Sequence, residues 1–307
     1  MNNNLLDLEN IDIHADDYAY SLNTSKDMLE CMKQGKLSSI SIICNTVYFD
    51  KCMDLFYKEI PSLPFLPKLS IHLDLPEGLG ISNLLPLSWG KLFLYSYSFK
   101  SNEIKNKLKE ELRYQINKTQ KAIDKCIDIA KENGVYYKQK SIRLDSHIHS
   151  HPVPVVWKAL IEVIEEDNLD IEYIRNPKEP ILPFLKHISL IPSYGLINMI
   201  KNRILMFYSG KIDKYCDLNK IDKMYMWGLI MSGHMDYDRI KALYDDVFKY
   251  SLSKNRRLEL LFHPGKASDD EYSDEMNKDY FKDANSSNNR HIEKDAVMRI
   301  DDIIFRE

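Results

Sequence analysis

Short apolar runs recur along the chain and are separated by longer amphipathic stretches. Because side chains of an extended segment alternate between two faces, the runs predict strands at residues 10–14, 38–45, 68–78, 141–151, 169–175 and 258–262. Apolar residues at three- and four-residue spacing predict a long helix at 102–133 and a shorter one at 155–166. Strands that alternate with helices indicate parallel pairing, so the expected fold class is α/β.

Three apolar stretches have a less regular pattern. Residues 79–101 predict an extended loop with a hydrophobic edge, and 224–235 predict core packing. The apolar residues 188–207 are interrupted by prolines, glycine and basic residues, which favours a core helix or a substrate lid over a membrane-binding helix.

The end of the chain differs in composition from the rest. Residues 266–289 are rich in Asp, Ser and Asn, which predicts a mobile surface loop. A closing amphipathic helix near 291–298 and a short strand at 300–305 are expected after it. The absence of an internal repeat or a clear linker predicts one domain over residues 1–307.

Composition narrows the class of protein. The chain is 44% hydrophobic and 29% charged with a net charge of -4, which excludes a global basic field and so a nucleic-acid partner. It contains no apolar run long enough to span a bilayer and no secretory leader pattern, so a cytoplasmic location is expected. Its five widely spaced cysteines predict small buried residues of a reducing compartment rather than a disulfide framework.

The densest group of reactive side chains is LDSHIHSH, with Asp145, His147, His149 and His151. If residues 142–148 are extended, these four side chains project to one side, which is a spacing typical of a metal site. A surface histidine cluster or the wet face of an edge strand explains the same pattern.

Two further strands carry polar groups of the same kind. Asp16 and Asp17 follow the first strand, where adjacent carboxylates repel each other unless a cation or a shared proton relieves them. A helix N-cap is the alternative explanation. The third strand presents His72 and Asp74 on its polar face, which alone would be an ordinary surface pattern.

Arg175 and His263 each lie at the expected C-terminal end of a strand, where (β/α) barrels place working groups. For Arg175, a surface position in a loop is the simpler explanation without further context. His234, in the Met-rich stretch, is a weaker candidate.

Taken together, four stretches resemble the YdjC-like carbohydrate deacetylases, the family that includes chitooligosaccharide deacetylases. They are Ala15-Asp16-Asp17-Tyr18, the segment His72 to Gly78, the segment Leu144 to His151, and His263-Pro264-Gly265. An Arg-x-Pro segment of that family is matched by Arg175, Asn176 and Pro177. The chain departs from the family pattern at Ala19, Asp74 and Pro76, which affects expectations about substrate more than about chemistry.

The resemblance implies a distorted (β/α) barrel that holds a divalent metal and removes the acetyl group from an N-acetylated sugar. It implies these roles: metal ligands Asp17, His72 and His147; general base Asp16; general acid His263; pocket or supporting residues His149 and His151; and Arg175 to orient the base or meet the substrate. Two imidazoles and one carboxylate favour zinc, with magnesium possible.

The substrate implied is an N-acetylated oligosaccharide or a nucleotide- or lipid-linked sugar, and a homodimer is compatible with the sequence. A catalytically silent carbohydrate-binding or regulatory protein on the same barrel is the alternative. A metallophosphoesterase is disfavoured, since its two-metal clamp would need more carboxylates and a basic phosphate cradle.

Overall fold

The structure is a computed structural model that describes residues 8–76, 80–81, 85–268, 271 and 289–305. The strands are β1 Ile11–Tyr18, β2 Ser39–Ile42, β3 Lys68–Leu73, β4 Ile142–Ser146, β5 Ile171–Ile174, β6 Met224–Trp227 and β7 Arg257–Phe262. The helices are α1 Leu22–Lys33, α2 Phe49–Glu59, α3 Trp89–Ser96, α4 Ser101–Glu132, α5 Pro154–Glu166, α6 Leu182–Leu185, α7 Leu196–Asn219, α8 Tyr237–Ser253, α9 Asn289–Met298 and α10 Asp301–Ile304. None of these helices is long and apolar enough to cross a membrane.

All seven strands are parallel and form one sheet in the order β5-β4-β3-β2-β1-β7-β6. The two edge strands meet through an isolated bridge between Tyr173 and Asp222. The backbone N–H of Met226 also donates to the carbonyl of Lys178, 3.1 Å away. The sheet therefore curls around until its edges touch, which confirms the α/β class and the distorted (β/α) barrel.

Alternation along the strands separates an aliphatic outer side from a polar interior. On β1 the residues Ile13 and Ala15 belong to the hydrophobic core, while Asp12, His14 and Asp16 are buried among other polar groups. The core lies between the barrel wall and the surrounding helices. Parallel strands covered by helices bury both faces, and the buried polar face is available for chemistry.

The long helix α4 confirms the predicted helix at 102–133 almost to the residue. Its buried stripe includes Ile104, Leu108, Leu112, Ile116 and Ile123, as the spacing predicts. The five cysteines are buried and free, as expected.

Several predicted elements differ in extent or type. β4 ends at Ser146, and residues 147–149 form a turn of 3₁₀ helix, so the alternation argument for the histidine cluster fails beyond Ser146. The short strand expected at 300–305 is wrong, because Asp301–Ile304 is helical and buries Ile300 and Ile303, which are spaced for a helix face. The stretch 79–101, predicted as a loop, contains helix α3, and the stretch 224–235, predicted to pack in the core, contains strand β6.

Other expectations stay predictions. Most of the loop expected at 266–289 lies outside the described residues, as do Glu77 and Gly78 of the segment His72 to Gly78. The single domain over residues 1–307 is not tested by the fold.

Candidate active site

The two adjacent carboxylates reach the same side because the backbone of β1 is irregular at its end. In a regular strand, Asp16 and Asp17 would point to opposite faces. Asp17 has φ +71°, the left-handed region that few non-glycine residues adopt, and Ala19 has φ +70°. The register of β1 against β2 shifts between Ala15 and Tyr18. The strained turn therefore gives both carboxylates access to the barrel mouth, and Ala19 adopts the conformation that glycine favours.

Asp17, His72 and His147 come together from the ends of three strands. Asp17 Oδ1 lies 2.9 Å from Nδ1 of His147 and 3.4 Å from Nε2 of His72. One ligand atom from each residue can be chosen so that all three lie within 4.8 Å of one another. All three side chains are buried, and the two rings meet edge to face with centroids 5.6 Å apart.

Hydrogen bonding leaves one nitrogen of His72 available. Its Nδ1 lies 2.6 Å from Oδ1 of Asp145, which fixes the ring. Its Nε2 is buried and has no hydrogen-bond partner among the described residues. A carboxylate that holds one imidazole nitrogen while the other points into a cluster of ligands is the arrangement that orients a metal-binding histidine.

The charged groups around this cluster shift the pKa values of His72 and Asp17 in opposite directions. Burial lowers the pKa of His72, but Asp16 and Asp145 outweigh it and raise that pKa to about 9. Burial raises the pKa of Asp17, whereas His147, His72 and Arg290 together hold it well below its usual value. The metal-free cluster is thus an anionic carboxylate facing protonated imidazole, and a cation would replace that proton on binding.

Asp16 is held by a fully buried guanidinium. Nη1 and Nη2 of Arg175 lie 2.8 and 2.9 Å from the two carboxylate oxygens of Asp16. The same guanidinium lies 3.3 Å from Asp145 and 2.6 Å from Glu259. Burial raises the pKa of Asp16, but Arg175, His72 and His14 together lower it well below its usual value. Arg175 has no exposed surface for a sugar, so its contacts support the orienting role rather than substrate contact.

A second acidic group beside the first does not fit a metal. His14, Asp16 and Asp145 also bring ligand atoms within 4.8 Å of one another. Arg175 already pairs with both carboxylates, and His14 is bonded to Ser39 and Ser41 at 2.6 and 2.7 Å. With its donors committed, this group is a support for the first cluster.

The two remaining histidines of the motif differ in their contacts. His151 bridges Ser146 Oγ at 2.6 Å and the carbonyl of Arg175 at 2.7 Å, and burial lowers its pKa to about 4. It therefore stays neutral and ties β4 to the chain after β5. His149 is buried with Nδ1 unpartnered among the described residues, and burial and then Arg175 lower its pKa well below the usual value.

His263 lies at the end of β7, as predicted, with a partly exposed ring. Glu293 of α9 accepts its backbone N–H at 2.6 Å and lies 3.7 Å from its Nδ1. His263 also contributes to the lowered pKa of His149, so the two rings share one neighbourhood. His234 lies in the turn region after β6 and is not one of the residues that contact the cluster in the described part of the chain.

Sequence reasoning missed several participants. Arg290 lies 3.3 Å from Asp17, and Glu259 pairs with Arg175, while Glu293 holds the backbone of His263. A signal existed for Glu259, the one acid in the apolar strand β7. His14 was also visible, at the interior spacing of Asp12 and Asp16. Arg290 carries no such signal, because it begins a helix that comes after a long polar stretch.

The fold and the site define a class, a parallel (β/α) barrel with a buried cluster of two histidines and one carboxylate at the C-terminal strand ends. The chain belongs to the family described as YdjC-like protein, whose model matches residues 10–128 and 140–300. This confirms the family resemblance seen in the motifs.

Named relatives share part of the chain. A carbohydrate deacetylase of Danio rerio is 25% identical over 59% of this chain and 53% of its own length. A carbohydrate deacetylase of Brevibacillus brevis is 25% identical over 52% of this chain and 58% of its own length. One of Thermoanaerobacter pseudethanolicus is 28% identical over 55% of this chain and 62% of its own length. The matches span little more than half the length of these relatives.

One solved structure aligns over most of both molecules. It is a crystal structure from Enterococcus faecalis V583, described as that of a cellobiose-phosphate cleavage protein. It covers 94% of this chain and 90% of its own at 16% identity, with a TM-score of 0.48. A likeness of this strength supports no further argument.

Proposed function

We propose that the chain is a metal-dependent carbohydrate deacetylase that hydrolyses the acetamide of an N-acetylated sugar to a free amine and acetate. The observation that carries this proposal is the buried cluster of Asp17, His72 and His147, with Nε2 of His72 lacking a hydrogen-bond partner in the described chain. Its nearness to an ionised Asp16 adds the second requirement of amide hydrolysis, a proton acceptor.

The three residues fit a divalent metal. An orphaned buried imidazole nitrogen is costly unless a ligand satisfies it, and the donor set of two imidazoles and one carboxylate suits zinc better than magnesium. When bound by three protein ligands with an open position, such an ion polarises a carbonyl and acidifies water. Asp17, His72 and His147 would hold it.

The other side chains would handle protons and position. Asp16 is ionised across the neutral range, so it can accept a proton, and the two-point contact with Arg175 fixes its direction. His263, whose backbone is held by Glu293, would give a proton to the departing amine. The unpartnered His149 would face the pocket, whereas His151 would support it.

The test is acetate release from a panel of N-acetylated saccharides and sugar nucleotides by metal-stripped and zinc-restored protein. We expect zinc to restore release, and Asp17→Ala to abolish both release and stoichiometric zinc binding. Asp128→Ala, on the exposed face of α4, is the matched control and should retain both.

The cytoplasm is the proposed location.

Two results would count against the proposal. Acetate release by metal-free protein, or by Asp17→Ala, would remove the cluster from the reaction. Tight zinc binding together with silence across the panel would favour the binding or regulatory protein on the same barrel.

A further inference from the structure

Two segments of the chain contain no acidic residue. Asp and Glu account for 46 of the 307 residues, yet none occurs in 78–102 or in 180–212. The basic residues there include the exposed Lys91, Lys100 and Arg203. In a chain of net charge -4, these segments are locally cationic.

Helix α7, which begins in the second segment, carries apolar residues on its outer side as well as on its buried side. Its buried positions include the polar residues Asn202 and Ser209. Its solvent-facing positions Leu196, Ile200 and Phe207 are 74%, 55% and 79% exposed. A surface helix normally turns its apolar stripe to the core, so this outward stripe lacks the partner that its residue types require.

Helices α3 and α7, one from each segment, lie side by side. The hydroxyls of Tyr97 and Tyr208 lie 2.8 Å apart, and the Phe93 ring is 5.6 Å from that of Tyr208. Phe99, just after α3, is 96% exposed, and Leu94 on α3 is exposed as well. We call the exposed residues Leu94, Phe99, Leu196, Ile197, Ile200 and Phe207 the apolar face.

This face adjoins the barrel mouth. Both segments belong to connections that leave the sheet at the C-terminal ends of β3 and β5, where His72 and Arg175 lie. Beneath the face, Leu205 of α7 packs with Met226, Leu229 and Leu261 at the ends of β6 and β7, and Trp89 of α3 packs against that cluster. The apolar face therefore continues from the rim of the candidate site.

We propose that the apolar face docks on an anionic lipid surface and brings the candidate site to an N-acetylated sugar carried by an amphiphile. Exposed aliphatic and aromatic side chains with basic residues and no acid among them are the combination that binds anionic interfaces. A second copy of the chain fits less well, because a two-fold contact would place one cationic surface around Arg203 against another of the same sign. The docking stands by itself, whereas the amphiphilic substrate rests on the proposed deacetylase function.

The test is co-sedimentation of the full chain with two kinds of vesicle, phosphatidylcholine alone and equal parts phosphatidylcholine and phosphatidylglycerol. The variant is Leu196→Asp, and its matched control is Leu218→Asp. Both leucines lie on α7 and both are 74% exposed. They are separated by about 33 Å along the helix, and Leu218 lies beyond the acid-free segment, next to Asp217.

We expect binding to the anionic vesicles that weakens with salt, and little binding to the neutral ones. Leu196→Asp should lower the apparent partition coefficient about tenfold or more, since it replaces an exposed leucine that the lipid would bury by a charge that the anionic surface repels. Leu218→Asp should bind like the parent chain. Melting temperatures of both variants equal to that of the parent chain would show that folding is intact.

Three outcomes would overturn the proposal: no binding to the anionic vesicles, binding that Leu196→Asp leaves unchanged, or a dimer in analytical ultracentrifugation that Leu196→Asp dissociates. The vesicle experiment contains no sugar, so its failure is independent of deacetylation. Faster acetate release from an N-acetylated glycolipid in anionic vesicles than in detergent would add the substrate class. An equal or slower rate would overturn the proposal of an amphiphilic substrate and leave the proposal of lipid docking intact.

Discussion

The barrel interior contains two layers of buried charge that differ in how completely they are paired. In the lower layer, Asp12 accepts from Ser38 and Ser39 on one oxygen and from Arg143 on the other, and Arg143 also lies over the ring of Tyr173. In the upper layer of Asp17, His72, His147 and His149, two imidazole nitrogens have no hydrogen-bond partner among the described residues.

The difference separates structural charge from functional charge. A buried ion pair whose donors and acceptors are all used holds its own elements together and has no remaining capacity for a ligand. Buried polar atoms without partners are unfavourable in the protein alone and become favourable when something binds. Similar residue types thus have opposite uses a few residues apart on β1.

The largest effect on stability is expected from the lower layer. Arg143→Met leaves Asp12 as an uncompensated buried carboxylate, which should lower the free energy of unfolding by about 3–5 kcal/mol. Arg113→Met removes a comparable ion pair on the exposed face of α4 and should cost under about 1 kcal/mol. Urea unfolding measures both, and equal costs would remove the distinction between the layers.

The upper layer should respond through binding instead. Asp17→Asn removes a charged ligand and should weaken zinc affinity by about 100-fold or more, because losing even a residue that only orients a ligand costs about 10- to 100-fold. The metal-free free energy of unfolding should fall by about 1–3 kcal/mol, less than for Arg143→Met, because Asp16 and Asp145 still compensate the charge on His72. Titration calorimetry and urea unfolding of the metal-stripped protein test this pair of expectations, and a large loss of stability with unchanged affinity would reverse the assignment.

His149 and His151 test the comparison within one motif. Both are buried, so truncation to alanine removes similar packing, but only His151 loses two hydrogen bonds. His151→Ala should therefore destabilise the chain by about 1–3 kcal/mol more than His149→Ala. His149→Ala should have the larger effect on acetate release relative to its effect on stability. The opposite ranking in thermal unfolding would show that hydrogen bonding does not distinguish these two histidines.

Acid should reveal the lower layer with the smallest effect. Burial raises the pKa of Asp12, but Arg143 together with His14 and Arg257 holds that pKa well below the usual value. The unfolded chain then binds the extra proton, so stability is full above about pH 4 and is lost as the pH falls, by about 1.4 kcal/mol per unit of depression. In urea unfolding between pH 3 and 5, Asp12→Asn should make the free energy of unfolding less dependent on pH, because the substituted residue does not titrate. An unchanged slope would assign the effect to other carboxylates.

Much of the architecture follows from local pattern. The strand runs and the spacing in α4 predict parallel strands joined by helices, because alternation and 3.6-residue periodicity are properties of short segments. The strand-end positions of Asp16, Asp17, His72 and His263 were also visible, and the motifs of the chain identify its family. The sequence predicts a core helix or a substrate lid at 188–207, and the structure leaves the outward side chains of α7 in this stretch exposed.

What only the tertiary structure decided are relations between distant segments. Examples are the left-handed turn at Asp17, the guanidinium of Arg175 on Asp16 and the approach of Arg290 to Asp17. The two contacts form only when segments more than a hundred residues apart pack together. Sequence alone determined which residues could be ligands, since that depends on side-chain chemistry and strand position. Which of their nitrogens stay free is a property of the assembled barrel, because hydrogen-bond partners are chosen in three dimensions.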